Sequence, residues 1–261
     1  MPRVLVVGGT GLAGRAVSSA ARDRGHEVVV AARSVPDDDA PGFVDGVQYV
    51  TADLVSGHGL EEAVDGADVL VDASNGTGKQ AARVFALGSQ NLLHTAARFG
   101  VHRAVLLSIA GIDGSRYPYY RAKLAQERVY AESPLETHIV RATQFHDFVT
   151  AVFERGRPFG TLLAPAGTRF QPIAVDDVAR ALVDAAELQG QPDSVRTIGG
   201  PAVESARSLA EQWKAASGSR RPIVPVRLSG PLGATWRAGR NLAPEHAVDG
   251  ADYADWLSAG A

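Results

Sequence analysis

The chain contains no cysteine in its 261 residues, which excludes disulfides, thiol nucleophiles and thiolate-held metal centres. It also lacks a dominant charge: 26 basic residues face 29 acidic ones, for a formal net charge of -3. That balance gives no general electrostatic reason to bind DNA, RNA or an anionic membrane. No apolar run is long enough for a membrane span. The N-terminus enters a buried-strand pattern directly, RVLVV at residues 3–7, instead of a basic segment followed by a cleavable apolar one. A water-soluble, cytoplasmic protein is therefore expected. What the chain does have is 45% hydrophobic residues, enough for a sizeable core. Its length suits one large α/β unit or a principal domain with a smaller C-terminal region.

Val4 to Val7 can lie buried on both faces at the centre of a parallel sheet, and GGTGLAG follows at once, from Gly8 to Gly14. Gly8 can turn the chain, Gly11 leaves room for a pyrophosphate, and Gly14 permits close packing of helix on strand. Thr10 and Leu12 complete this expected cofactor contact, and backbone donors at the following helix N-terminus face the phosphates. The segment after Gly14 reads as a helix stopped by Gly25, followed by a second strand in HEVVVAAR. A strand, glycine turn, helix and strand in that order point to a dinucleotide site.

A carboxylate at the end of the second strand would accept hydrogen bonds from an adenosine ribose, whereas a 2'-phosphate favours a cation there. The chain has Arg33 at that place and no acid until Asp37. NADP(H) is thus expected over NAD(H), with Arg15 adding positive potential near the phosphates.

Further strands are expected at Val47–Thr51, Val69–Val71, Ala104–Ile109 and Thr137–Val140, with a long helix through Ala81–Ala96 and another after Pro118. Asp53, with Leu54 beside it, ends one strand; it either meets the adenine side of the cofactor or caps a short helix. Ala73 and Ser74 offer backbone contacts beneath a dinucleotide. The fold class expected is α/β: a Rossmann-like parallel sheet with helices on both faces and a smaller C-terminal substrate region. Residues 1–155 would form mainly the NAD(P)-binding part. Residues 156–261 would form mainly a substrate or partner region, with elements interleaved into the core fold.

Together GGTGLAG, AAR, ADL, LLSIAG, YYRAKLAQE and RATQFHDF resemble the atypical short-chain dehydrogenase/reductase superfamily, in its NmrA-like or isoflavone-reductase-like branch. The resemblance covers most of residues 2–185 and implies an NAD(P)-binding Rossmann domain, in a family that holds both reductases and cofactor-sensing regulators. Tyr119 and Lys123 lie four apart on one helix face, and Ser108 ends the fifth strand. The three form a possible catalytic set: Tyr119 gives a proton to a developing alkoxide, Lys123 favours tyrosinate, and Ser108 bonds the reacting oxygen. The resemblance also allows Tyr119 to cover the cofactor or pack, and Lys123 to hold ribose hydroxyls or act as the acid/base itself. It directs attention to Phe145 as a wall of the nicotinamide region and to His146 as a substrate contact; a satisfied interfacial histidine explains His146 equally. No histidine spacing suggests a metal, so metal-free redox chemistry is expected.

In the C-terminal region, Asp176 and Asp177 are expected to cap the helix VARALVDAAEL, and Leu209 and Trp213 to share a packed helix face. Pro222, Pro225 and Pro231 limit regular helix. Trp236, Tyr253 and Trp256 line either a pocket or a core. The leading expectation is an NADPH-dependent reductase of a small carbonyl, quinone or related conjugated substrate. One alternative is a non-enzymatic redox sensor that recruits a protein partner; another is an epimerase or dehydratase with tightly bound NAD(H).

Overall fold

The structure is a computed structural model that describes residues 1–37, 39–40, 42–188 and 194–260, Lys79 without its side chain. In chain order its elements begin β1 (Arg3–Val7), α1 (Leu12–Asp23), β2 (Glu27–Ala32), β3 (Gln48–Thr51), α2 (Leu60–Val64), β4 (Val69–Asp72) and α3 (Gly78–Arg83). They continue with a π-helical turn (Val84–Gly88), α4 (Ser89–Arg98), β5 (Arg103–Ile109), α5 (Pro118–Ala131), β6 (Glu136–Ala142) and α6 (His146–Glu154). The remainder are β7 (Leu162–Pro165), β8 (Arg169–Phe170), α7 (Val175–Glu187), β9 (Ser194–Ile198), β10 (Glu204–Ser205), α8 (Ala206–Ala216), β11 (Ile223–Val226), α9 (Gly230–Arg237) and α10 (Tyr253–Ser258).

Two compact units emerge. The first comprises Met1–Ser108, Arg121–Val140 and Val178–Arg196. Its sheet has the order β3-β2-β1-β4-β5-β6-β9, and the pairs β1–β2, β1–β4, β2–β3 and β4–β5 are parallel. Val4 stands opposite Val28 on one side and Val69 on the other. The winding reverses between β1 and β4, the switch point where the carboxyl ends of parallel strands open a crevice.

Because side chains alternate across a strand, Leu5, Val29, Leu70 and Leu106 share one sheet face, where Leu60, Val64, Leu92, Leu93 and Tyr130 from helices cover them. The alternate residues Val4, Val6, Val28 and Val30 are equally buried and face the opposite side. There α1 contributes Val17 and Ala21. The end of α1 is tied to α7: Arg24 pairs with Asp184 at 2.8 Å and Glu187 at 2.9 Å, and His26 meets Glu187 at 2.8 Å. The result is a parallel Rossmann-type sheet with helices on both faces, as its strand pattern implies.

The second unit comprises Ile109–Tyr120, Arg141–Asp177 and Thr197–Ala261. Val149, Phe153, Phe170, Leu209, Trp236 and Tyr253 form its core, with Trp213 and Trp256 packed against it. β7 pairs with β11 in parallel, so Pro225 sits in a two-stranded edge, and Pro231 stands in the first turn of α9.

Two local expectations are corrected. The helix α7 begins at Val175, so Asp176 and Asp177 occupy its first turn rather than the cap position; there they complement the positive end of the helix. The helix expected through Ala81–Ala96 is present, its backbone staying helical from Gly78 to Arg98, but it is not a plain α-helix: a π turn at Val84–Gly88 is inserted between α3 and α4. No helix among the described residues is long and apolar enough to cross a membrane.

Candidate functional site

The turn after β1 carries two different demands for glycine. Gly8 has φ +74°, and a Cβ there would lie 2.8 Å from the Ser74 Cα, so β1 and the chain leaving β4 touch backbone to backbone. At Gly14 a Cβ would fall 2.2 Å from the Gly8 carbonyl oxygen and 2.6 Å from the Gly9 Cα; α1 can approach β1 only without it. Gly11 is different: a Cβ there would meet only the Gly8 carbonyl oxygen, at 3.3 Å, with open space beyond. Packing within the chain thus accounts for Gly8 and Gly14 but not for Gly11. Gly11 also caps α1 without any side-chain bond, and no acidic residue lies in that helix's first turn. The Gly8 and Gly11 N–H groups are spent on the Ala31 and Gly8 carbonyls, both at 3.0 Å, but the first-turn amides of α1 have no side-chain cap, and with a positive helix end and a missing methyl group they fit the pyrophosphate of a dinucleotide. Thr10 and Leu12 flank this opening, and Arg15 folds back so that its Nη1 donates to the Thr10 carbonyl at 3.3 Å.

At the ends of β2 and β3, Arg33 is exposed, and Asp53 accepts the Ser56 backbone N–H on Oδ1 at 2.7 Å. That bond chiefly, and Arg33 among the lesser influences, holds the Asp53 carboxyl below its ordinary range. Asp53 caps the turn ahead of α2, whereas Gly59 is the cap of α2 itself. The Leu54 carbonyl accepts from Asn91 Nδ2 at 2.9 Å. The backbone donors of Ala73 and Ser74 are already engaged, the first on the Val7 carbonyl at 3.0 Å and the second on Asp72 Oδ1 at 2.8 Å.

Beside this turn lies a buried polar network. Asp72, at the end of β4, is 0% exposed, and its Oδ2 accepts from Gln126 Nε2 at 2.9 Å and from the Tyr130 hydroxyl at 2.8 Å. Gln126 Nε2 also donates to Ser89 Oγ at 3.0 Å, and its Oε1 accepts from Lys123 Nζ at 2.7 Å. Lys123 is buried, with Nζ 4.6 Å from the centre of the Phe85 ring. Burial pushes the lysine down to about 8, against the opposing pull of Asp72 and Glu127. Ser108 is also buried, and its hydroxyl donates to Glu127 Oε1 at 2.5 Å. Burial and its contact with Asp72 raise the Tyr130 hydroxyl well above its ordinary value, which keeps it a proton donor. The structure thus brings Lys123 and Ser108 into the first unit with three partners that sequence reasoning missed: Asp72, Gln126 and Glu127. Two signals marked them. An acid ends the otherwise apolar strand VLVD, and positions 123, 126, 127 and 130 recur on one helical face.

The other expected residues fall in the second unit. Tyr119 is pushed up to about 12 by burial, with Tyr120 and Tyr117 as lesser influences, so it stays protonated at neutral pH. Phe145 is half-buried at the cap position of α6 and bridges to Ile173. His146 is fully buried, its ring stacked on Tyr253 at 5.6 Å and Trp256 at 5.2 Å, and burial lowers it to about 4. Trp236 is packed edge-on against Phe170 and donates from its indole to the Tyr120 hydroxyl at 3.3 Å. Trp236, Tyr253 and Trp256 therefore belong to packed aromatic clusters.

A family profile described as NAD(P)H-binding matches residues 8–188. The photosystem II assembly factor Ycf39 of Synechocystis sp. is 25% identical over 236 residues, which cover 87% of this chain and 71% of that one. Among solved structures, NADPH-dependent quinone oxidoreductase QOR2 from Escherichia coli, complexed with NADPH, superposes with a TM-score of 0.79 at 16% identity, over 98% of this chain and 99% of that one. MoeE5 in complex with UDP-glucuronic acid and NAD gives a TM-score of 0.76 at 17% identity, over 98% and 96%. At these identities the likeness is one of fold.

The comparisons correct the expected preference for NADP. MoeE5 in two sugar-nucleotide complexes, WbmG from Bordetella bronchiseptica and the UDP-glucose 4-epimerase of Thermus thermophilus are all captured with NAD, against NADPH in QOR2. Arg33 itself stands exposed at the end of β2, and one exposed arginine is compatible with either dinucleotide. With the glycine turn, the sheet order and the family match in agreement, the chain belongs to the NAD(P)H-binding family and has a Rossmann fold.

Proposed function

We propose that the protein is an NAD(H)-dependent enzyme of the epimerase or dehydratase kind, in which hydride leaves and returns to one substrate and no cofactor is consumed. Bound NAD(H) supplies the hydride chemistry. The backbone of Gly8, Thr10, Gly11, Leu12 and Gly14 holds the pyrophosphate; Arg15, Arg33, Asp53 and Leu54 flank the adenosine end, and Ala73 and Ser74 line the floor. The second unit serves as the substrate region, with the half-buried Phe145 at the start of α6 as its candidate substrate contact and the buried, stacked His146 as packing beneath it.

The observation that carries this reading is the pairing of an uncapped, methyl-free helix start at Gly11 with a buried ammonium, Lys123, that loses its proton near pH 8. A group that titrates close to the working pH exchanges a proton with a substrate oxygen at little cost in either direction, as reversible oxidation of a hydroxyl requires. Tyr119, protonated at neutral pH, suits donation rather than abstraction. The Ser108 proton is directed to Glu127, which leaves the hydroxyl oxygen as an acceptor. The NAD-bound sugar-nucleotide neighbours lend support and suggest nucleoside-diphosphate sugars as the first substrate class to try.

Net reduction of a small carbonyl or quinone is the second reading, favoured by the QOR2 likeness and by the protonated Tyr119. The test incubates purified protein with a panel of UDP-sugars, and separately with NADH or NADPH and a carbonyl and quinone panel. Substrate conversion with bound NAD(H) and no net consumption supports the first reading; stoichiometric oxidation of the reduced cofactor supports the second. Folded protein that binds NAD+ but turns over nothing refutes both and leaves a cofactor-sensing role.

A further inference from the structure

The buried network holds more than the proposed proton exchange requires. Gln126 has two amide protons, and both are committed, one to Asp72 Oδ2 and one to Ser89 Oγ. Its oxygen is therefore forced toward Lys123, which donates to it at 2.7 Å. Asp72 in turn accepts three bonds, from the Ser74 backbone, Gln126 and the Tyr130 hydroxyl, and is 0% exposed. The π turn completes the enclosure. It carries Phe85, whose ring lies over Nζ, and passes directly into Ser89, the second anchor of Gln126. π turns collect at functional sites because they re-aim side chains that an unbroken α-helix would point elsewhere.

We propose that Gln126, anchored by Asp72 and Ser89 and braced by Tyr130, is a positioning residue that acts through Lys123, fixing the direction of its ammonium group and how firmly that group keeps its proton. The amide relays the influence of the Asp72 carboxylate to Nζ without letting the two charges close into a direct ion pair. A direct pair would hold the proton too tightly for exchange; an ammonium with no partner in a dry site would hold it too loosely. The ionisable groups facing Lys123 are Asp72 from β4 and Glu127 from its own helix. The π turn presents Phe85, the start of α4 presents Ser89, and β5 presents Ser108 through Glu127. The catalytic meaning of this device rests on the role proposed above for Lys123; the device itself does not, because a lysine titrates without cofactor or substrate.

The chain has only three lysines, Lys79, Lys123 and Lys214, so labelling with ε-13C lysine gives three NMR signals, assigned through Lys79→Arg and Lys214→Arg. In the full chain, the Lys123 signal is expected to titrate near pH 8. Gln126→Met and Asp72→Asn are expected to lower that midpoint by about one pH unit or more, and Gln126→Glu to raise it. The Lys214 signal should stay in place as the internal control. An unmoved Lys123 midpoint in the folded variants overturns the proposal, as does a wild-type midpoint at the ordinary lysine value. Should Gln126→Met fail to fold, Gln126→Glu, of nearly the same volume, decides alone. Where turnover is found, its pH profile should shift with the Lys123 midpoint; an enzyme with no turnover removes the hydride reading and leaves the titration result standing.

Discussion

Gly14→Ala and Gly11→Ala add the same methyl group three residues apart and should fail in different ways. At Gly14 the new carbon would lie 2.2 Å from one backbone atom and 2.6 Å from another, so either the start of α1 or the turn after β1 has to move. Overpacking of this kind costs about 1–3 kcal/mol, offset by the roughly 1 kcal/mol that alanine gains over glycine within a helix. With two backbone contacts in conflict we expect the upper end, a net loss of about 2 kcal/mol, or roughly 4–8 °C in Tm for a chain of this size. At Gly11 the nearest atom is 3.3 Å away and the φ of -78° suits alanine, so stability should stay within about 1 kcal/mol of wild type. The methyl group would nevertheless stand where the amides face the pyrophosphate, and NAD+ affinity should fall at least about tenfold, or roughly 1.4 kcal/mol. Thermal melts combined with calorimetric titration of NAD+ separate the two effects. Wild-type NAD+ affinity in folded Gly11→Ala would falsify the assignment of that turn to the pyrophosphate, and a wild-type melting point in Gly14→Ala would refute the packing account.

Three further outcomes follow from the buried groups. The folded chain releases the Lys123 proton near pH 8 while the unfolded chain holds it to about 10.5, so wild type should gain stability relative to Lys123→Met between those limits; urea unfolding at pH 7.5 and 9.5 checks the sign. His146 stays neutral in the fold down to about pH 4, whereas the unfolded chain protonates it below about 6.5. Acidification across that window should therefore destabilise wild type, and His146→Phe should flatten this part of the profile; equal pH slopes in the two proteins between pH 7 and 5 would count against the neutral, stacked ring. Tyr130→Phe removes one donor from the buried Asp72 and should lower stability by about 1–2 kcal/mol, measured by chemical denaturation.

Much of the first unit was legible because its signals are local. A β-branched run followed by three spaced glycines specifies strand, turn and helix without distant help, and β1 to β5 fall within a residue or two of their expected bounds. The network around Lys123 was only half legible. Lysine, glutamine, glutamate and tyrosine at helical spacing read as readily as a solvated face as a buried one, and the partner that decides, Asp72, lies 54 positions from Gln126. The π turn has little sequence mark, since in VFALG only Gly88 departs from an ordinary helix pattern, and its reason, the close approach of Leu54, is set by a distant segment. For His146 the sequence left a substrate contact and a satisfied interfacial histidine level, because the stacking partners that favour the second, Tyr253 and Trp256, are more than a hundred residues away. The cofactor preference was less legible still, because a single exposed arginine after β2, Arg33, does not by itself separate the two dinucleotides.

The first unit is threaded from three separate stretches of chain, and its last stretch carries the greater part of α7, together with the ion pairs that clamp it to the end of α1. A ribosome must therefore synthesise more than 180 residues before the sheet can be fully covered. A nascent chain halted near residue 155 would still lack α7 and the carboxylates of Asp184 and Glu187 that clamp the end of α1, a natural handhold for chaperones. Limited proteolysis should accordingly release no stable N-terminal half: once a protease cuts between β6 and α7, the dinucleotide-binding unit is expected to unravel as a whole.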